Sequence, residues 1–394
     1  MGLNDRWILP EGIDEALPER ALRLETLRRE LLDLYASWGY DLVIPPMIEY
    51  LESLLIGSGS QLDLQTFKLT DQLSGRTLGL RADMTPQVAR IDANRLQQPG
   101  ATRLCYIGTV LNARSDGLGG SRSPIQVGAE LYGHAGLASD REILKLVMET
   151  FAVCEIADIH VDLGHAGVFR QVSAQAGLSR EQAETLFEML QRKAVPEIET
   201  WLAALELTPE ARKALAALAM LNGGKDTLAQ ARGLLAFAGA TVRQHLDTLE
   251  NLGDMLEQGY PGVTVNFDLA EVRGYSYETG VVFAAYVPGE GREILRGGRY
   301  DGVGEQFGRS RPAVGFSADL KRLLRLSGRR FSERGGLIWA PAVEEVALQQ
   351  AVADLREKGE RVVSALDGQS SPEEAGCTRR LVNQGGQWVV EEIE

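Results

Sequence analysis

The chain has 394 residues, too many for one ordinary domain and enough for two or three. Its 44% hydrophobic and 24% charged content is that of a soluble globular protein; no run of about 18 apolar residues is present, which argues against a membrane span. With 41 basic residues against 55 acidic and a net charge of −14, the whole-protein field repels polyanions and weighs against tRNA as a partner. The opening MGLNDRWILPEG lacks a charged-then-apolar export signal, so a cytoplasmic location is expected.

Leu24, Leu27, Leu31, Tyr35 and Trp38 form one apolar stripe, which predicts a helix over 18–38 that stops at Gly39. YDLVIPPMIEY then gives a short strand ending on Pro45 and Pro46. Proline donates nothing to a ladder, so this strand belongs at an edge or an interface. TFKLTDQLSGRTLGLR (66–81) reads as a hairpin around Ser74-Gly75, and ADMTPQVARIDANRL as a helix with Thr85 as N-cap and Pro86 in its first turn. Residues 103–133 form a second hairpin, with a Gly/Ser-rich loop between an apolar strand and a strand carrying Gln126 and Glu130. DREILKLVMETFAVC (140–154) is a helix with Leu144, Val147, Met148 and Phe151 inward, and IADIHVDLGH a strand.

From 166 to about 258, Ala, Leu, Glu, Gln and Arg at helical spacing predict a helical insertion, broken near Pro196, Pro209 and LNGGKDT. That last stretch lacks phosphate-loop spacing and reads as a connector. Strand signals return in VTVNFDLAEVRGYSYETGVVFAAYV and EILRGGRYDG. RPAVGFSADLKRLLRL reads as a strand and a helix with Ser317 as N-cap. The expected fold is α+β: a mainly antiparallel sheet core over 1–330, flanked by helices and interrupted by the insertion. A small C-terminal α/β domain spans 335–394, in which LIWAP, VALQQAVADLREKG, RVVSA, PEEAGCTRRLV and QWVVEE alternate strand, helix, strand, helix, strand.

Three scattered cysteines argue against a disulfide framework, and Cys105 and Cys154 read as small buried hydrophobes. The four histidines show no metal-ligand spacing, so no metal and no cofactor is expected. Polar residues gather at strand ends instead: Asp83, Thr85, Gln126, Glu130, Arg273, Tyr277 and Tyr300. Carboxylates can take an α-ammonium, an arginine can take a carboxylate, and a glutamate or tyrosine can satisfy a polar side chain such as imidazole. Taken singly, each fits a solvated face or an internal ion pair equally well.

Together these segments resemble the core of the class II aminoacyl-tRNA synthetases, and specifically histidyl-tRNA synthetase. The helix before GYDLVIPPM is similar to motif 1, with Pro46 at its interface proline. RLCYIGTVLNARSDGLGGSRSPIQVGAELYG is similar to motif 2, GGRYDG to the approach to motif 3, and PAVGFSADLKRLL to motif 3, with Arg322 at its arginine. EVRGYSYETG resembles the histidine-specific segment, with Arg273 at its catalytic arginine. The resemblance places Asp83, Thr85, Gln126, Glu130 and Tyr300 on histidine and covers roughly residues 5–330.

The departures point to one branch of that family. Asn112 stands where the synthetase arginine holds the ATP α-phosphate, and an adenylate transition state without that charge loses a main stabiliser. Ser276 and Glu278 replace Asp and Tyr, Asp83 replaces Glu, and Lys321 replaces Glu. The C-terminal tail is smaller than an anticodon-binding domain and ends in EEIE. This combination resembles the synthetase paralogues that serve as regulatory subunits of ATP phosphoribosyltransferase. The resemblance implies a non-catalytic subunit that works with a short catalytic subunit and transmits feedback inhibition by histidine. It further implies a dimer of this chain within a hetero-octamer, and Asn112, Arg122 and Arg322 as a vestigial nucleotide site. An active histidyl-tRNA synthetase is the alternative, which Arg273 and Arg322 favour.

Overall fold

The computed structural model describes residues 8–56, 60–115, 120–270, 278–331, 335–366 and 371–393. They fall into two compact units, 1–329 and 330–394.

In the first unit α1 (Pro18–Ser37) stops where Gly39 takes a positive φ of 80°, a conformation open to glycine at no steric cost. The chain continues through β1 (Asp41–Leu42), β2 (Ile48–Tyr50), α2 (Leu51–Leu54), α3 (Ser60–Gln65), β3 (Phe67–Thr70), β4 (Thr77–Leu80) and α4 (Thr85–Ile91). The hairpin β5 (Thr102–Thr109) and β6 (Ile125–Tyr132) precedes α5 (Leu137–Val153) and β7 (His160–His165). Six helices follow: α6 (Ala166–Gln175), α7 (Arg180–Gln191), α8 (Val195–Ala203), α9 (Pro209–Leu218), then, after β8 (Asn222–Gly223), α10 (Lys225–Leu234) and α11 (Ala240–Gly259). The unit ends with β9 (Thr264–Asp268), β10 (Val281–Tyr286), β11 (Leu295–Arg299), β12 (Ala313–Asp319) and α12 (Leu320–Leu326).

Nine strands form one sheet in the order β1-β5-β6-β12-β11-β10-β7-β9-β8. Its centre, β5 through β7, is antiparallel throughout, while β1 pairs β5 and β7 pairs β9 in parallel. The helical insertion is therefore the crossover between two parallel neighbours, a connection that cannot be a tight turn. LNGGKDT does more than connect helices, because Asn222 and Gly223 pair with Asp268 and Phe267. β1 lies at the sheet edge, as Pro45 and Pro46 require, and β2-β4-β3 form a separate small sheet.

Helices α1 and α5 bury one face of the large sheet, with Tyr35 edge-on to Phe316 at 6.1 Å and its hydroxyl 3.2 Å from Thr150 Oγ1. Leu24, Leu27, Leu31 and Tyr35 of the α1 stripe are buried, whereas Trp38 caps the helix and is half-buried; Leu144, Val147, Met148 and Phe151 of α5 are buried together with the polar Ser139, Asp140 and Thr150. On the other face α4 lays Met84, Val88 and Ala89 against Leu104, Tyr106 and Tyr300.

Two helix starts differ from expectation. Thr85 is the first residue of α4, not its cap; the Asp83 carboxylate one step outside accepts the Thr85 N–H at 3.0 Å. Ser317 lies within β12, and Asp319 caps α12 by accepting from the Lys321 N–H at 3.1 Å.

The second unit contains β13 (Leu337–Ala340), α13 (Val346–Glu357), β14 (Val362–Ser364), β15 (Cys377–Gln384) and β16 (Gln387–Glu392), with strand order β14-β13-β15-β16. Ile338, Leu348, Val352, Val362 and Leu381 are its core. PEEAGCTRRLV is not a helix: turns run to Gly376 at φ 65°, and the rest is strand β15. The alternation of TRRLVNQ pairs with QWVVEE through Gly385 and Gly386, both at positive φ.

Candidate functional site

The site lies on the face of the large sheet that carries α4. Alternation puts Gln126, Gly128 and Glu130 of β6 on this face, opposite Gly108, Tyr106 and Leu104 of β5. Gly315 of β12 faces Glu130. The glycines make room for the polar groups: a Cβ on Gly128 would sit 2.5 Å from the Tyr106 hydroxyl, and one on Gly315 would collide with the Glu130 carboxylate. Tyr300, just beyond β11, reaches in from the side, while Arg299 before it points the other way. There its guanidinium binds the buried Asp140 at 2.6 Å and Ser139 Oγ at 2.7 Å, fixing the GGRYDG segment.

Glu130 is only 1% exposed. Tyr106 donates to its Oε1 at 3.0 Å and Tyr300 to its Oε2. Burial pushes its carboxyl up to about 8; the two tyrosine hydrogen bonds act against that rise and the nearby Asp83 charge adds to it. Thr85 Oγ1 shares a hydrogen bond with Tyr106 at 3.1 Å. Nearer the surface, Gln126 Nε2 donates to Asp83 Oδ1 at 2.7 Å, while its Oε1 accepts the Met84 N–H at 2.8 Å. A single chain of hydrogen bonds thus runs from half-buried Asp83 and Gln126, through Thr85 and Tyr106, to buried Glu130 and Tyr300. The half-buried Asp83 carboxylate can pair with an ammonium, and the buried Glu130 carboxyl with its two tyrosines can pair with a neutral donor ring.

Five of the seven expected binding residues, Asp83, Thr85, Gln126, Glu130 and Tyr300, are brought together in this way. Arg273 and Tyr277, with Ser276, lie outside the described residues. Sequence reasoning missed Tyr106, although the alternation of RLCYIG puts it on the site face. It also missed Arg81, a buried guanidinium whose Nη1 donates to the Pro45 carbonyl at 2.6 Å and Nε to that of Thr109 at 2.9 Å. Arg81 thereby ties the proline segment to the motif 2 strand.

The cations expected near a nucleotide are otherwise engaged. Asn112 is neutral, and its backbone carbonyl accepts from Arg122 Nε at 3.0 Å. Arg122 also donates to the Glu11 carbonyl at 3.2 Å and stacks over the Phe67 ring at 5.0 Å. Arg322 donates to the Glu293 carbonyl at 2.7 Å and pairs with Glu290 at 3.1 Å. No group of three or more His, Cys, Asp or Glu side chains suited to a metal ion occurs among the described residues. Cys105 and Cys154 are buried thiols that burial pushes up to about 12, which removes them as nucleophiles.

Residues 12–323 match the family described as histidyl-tRNA synthetase, and residues 335–391 match the C-terminal domain of the ATP phosphoribosyltransferase subunit HisZ. The ATP phosphoribosyltransferase regulatory subunit of Thioalkalivibrio sulfidiphilus is 57% identical over 99% of both chains. The chain belongs to the ATP phosphoribosyltransferase regulatory subunit family. The regulatory subunit of Pseudomonas aeruginosa is 53% identical, again over 99% of both chains. Among solved structures, a Bacillus halodurans protein described as an ATP phosphoribosyltransferase regulatory subunit/histidyl-tRNA synthetase superposes with a TM-score of 0.82 at 28% identity, covering 94% of this chain and 95% of that one. Histidyl-tRNA synthetase from Nostoc shares the fold, with a TM-score of 0.74 at 20% identity over 98% of this chain and 97% of the other. The α+β, class II synthetase-like fold and the regulatory, non-catalytic family expected from the sequence both hold. Among the described residues, no helix is long and apolar enough to cross a membrane.

Proposed function

We propose that this chain senses histidine for an ATP phosphoribosyltransferase: it binds the amino acid at the Asp83–Glu130 site and passes that occupancy to a short catalytic subunit. The observation that carries the reading is an asymmetry. The polar chain that suits an amino acid is continuous, whereas Asn112 carries no charge and Arg122 and Arg322 are spent on internal acceptors. The α-ammonium belongs at Asp83, Gln126 and Thr85, and the imidazole at Glu130, Tyr106 and Tyr300, with Arg273 and Tyr277 completing the site. Feedback then follows if histidine binds one of two arrangements better and the catalytic partner reads the difference.

The reading includes a dimer of this chain inside a hetero-octamer, with no tRNA bound and a cytoplasmic location. Support for self-association comes from the sheet edge, where Leu42, Ile44, Met47 and Ile48 are exposed around the two prolines. The test is phosphoribosyl-ATP formation by a short catalytic subunit, with and without this chain, then with histidine. Activation by the chain and inhibition by histidine are expected. No effect on a competent partner would overturn the reading.

A further inference from the structure

Helix α12 opens beside the β5–β6 hairpin, where the Asp319 carboxylate also accepts the Ile125 N–H at 3.1 Å. In a chain of net charge −14, this one short helix carries three cations: Lys321, Arg322 and Arg325. Each is held by a carboxylate from elsewhere in the fold. Lys321 Nζ lies 2.6 Å from Asp14 of the N-terminal segment. Arg322 and Arg325 grip a single acid between them. Their Nη2 groups stand 3.1 and 2.7 Å from Glu290 Oε2, and Arg325 Nη1 donates to Oε1 at 2.8 Å. The carbonyls of Arg292 and Glu293 take further Arg322 donors at 3.2 and 2.7 Å, so the β10–β11 turn wraps this guanidinium.

We propose that Glu290 is an internal stand-in for a phosphate, occupying the Arg322–Arg325 pair and keeping polyphosphate oxyanions off α12. Two guanidiniums one helical turn apart are suited to an oxyanion, which accepts several parallel N–H bonds at once. Glu290 meets that requirement with both oxygens, and its side chain is only 16% exposed. The hydrogen bond from Arg325, with that from Arg322, pulls its carboxyl down to about 2, so it remains charged at any physiological pH. A carboxylate tethered in the same chain competes at an effective concentration on the order of millimolar or above. A free phosphate must displace it before it can bind. The loss of nucleotide chemistry is thus built twice, by the uncharged Asn112 and by an acid seated on the remaining arginines. This inference shares the Arg322–Glu290 pairing with the regulatory reading, but its test reads only what α12 binds.

The probe is inorganic tripolyphosphate, titrated by calorimetry at low ionic strength into the full chain and into Glu290→Gln. Glutamine keeps the size of the side chain but only one of its two acceptor oxygens, and it removes the counter-charge that the two guanidiniums share. Affinity is expected to rise by about tenfold or more, and the gain to vanish in Glu290→Gln combined with Arg322→Ala. Unchanged affinity in Glu290→Gln, or a gain that persists without Arg322, overturns the proposal. Should Glu290→Gln not fold, Glu290→Asp, which keeps the charge on a shorter arm, must show a smaller gain; affinity equal to that of the natural chain is then the contradicting result.

Discussion

Glu130 shows how one residue can link stability, pH and ligand. Its carboxyl is pushed up to about 8 by burial, whereas an unfolded glutamate ionises near its ordinary value of 4.5. The folded state therefore holds an extra proton between those values, and stability falls as pH rises through that window. We predict that Glu130→Gln, which cannot ionise, flattens this dependence. Thermal melts from pH 5 to 9 should show the natural chain losing stability toward pH 9 by more than the variant, by an amount on the order of a few kcal/mol. Parallel curves would mean that Glu130 does not ionise within this range. The alternation of IQVGAELY made Gln126 and Glu130 legible as residues of one face. Tyr106 belongs to the same pattern but was hidden, because a tyrosine in an apolar strand reads as core until its partner across the sheet is known. Asp14 and Glu290 were not legible at all. The partner of a charged side chain is set by the tertiary fold, and Lys321 meets Asp14 across 307 positions of sequence.

At the scale of elements, segments whose periodicity ran for several turns or pleats were read correctly, and so were short strands bounded by turn residues, such as the 66–81 hairpin and LIWAP. α1, α5 and the β5–β6 hairpin each carry an uninterrupted stripe. The error at PEEAGCTRRLV has a physical cause: Pro-Glu-Glu-Ala imitates a helix start, but Gly376 breaks it at positive φ, and CTRRLV is held as a strand by its partners β13 and β16, which lie elsewhere in the sequence. The proline segment between β1 and β2 makes a second prediction. Ile44 is 79% exposed beside Leu42, Met47 and Ile48, on an edge that Arg81 ties to the site strand. A second copy of the chain would bury these side chains. Ile44→Asp is expected to convert a dimer to a monomer in sedimentation experiments without unfolding the chain. An unchanged assembly would remove this edge from the interface.

For the whole molecule, our proposal is that the synthetase-like sheet keeps an amino-acid site, while Arg122 and Arg322 are engaged by internal acceptors. Order of segments made the first unit recognisable from sequence, because several motifs recur at their expected places along it. The part played by 271–277, which lie outside the described residues, was not legible, since Ser276 and Glu278 depart from the synthetase pattern. The central claim is that the site still takes histidine through Glu130. The most direct measurement is a calorimetric titration of histidine into the full chain and into Glu130→Ala. Saturable binding that weakens by about tenfold or more in the variant is predicted, as expected when a buried polar partner is lost. Equal affinity in the two proteins, or no binding to the natural chain, would contradict the account.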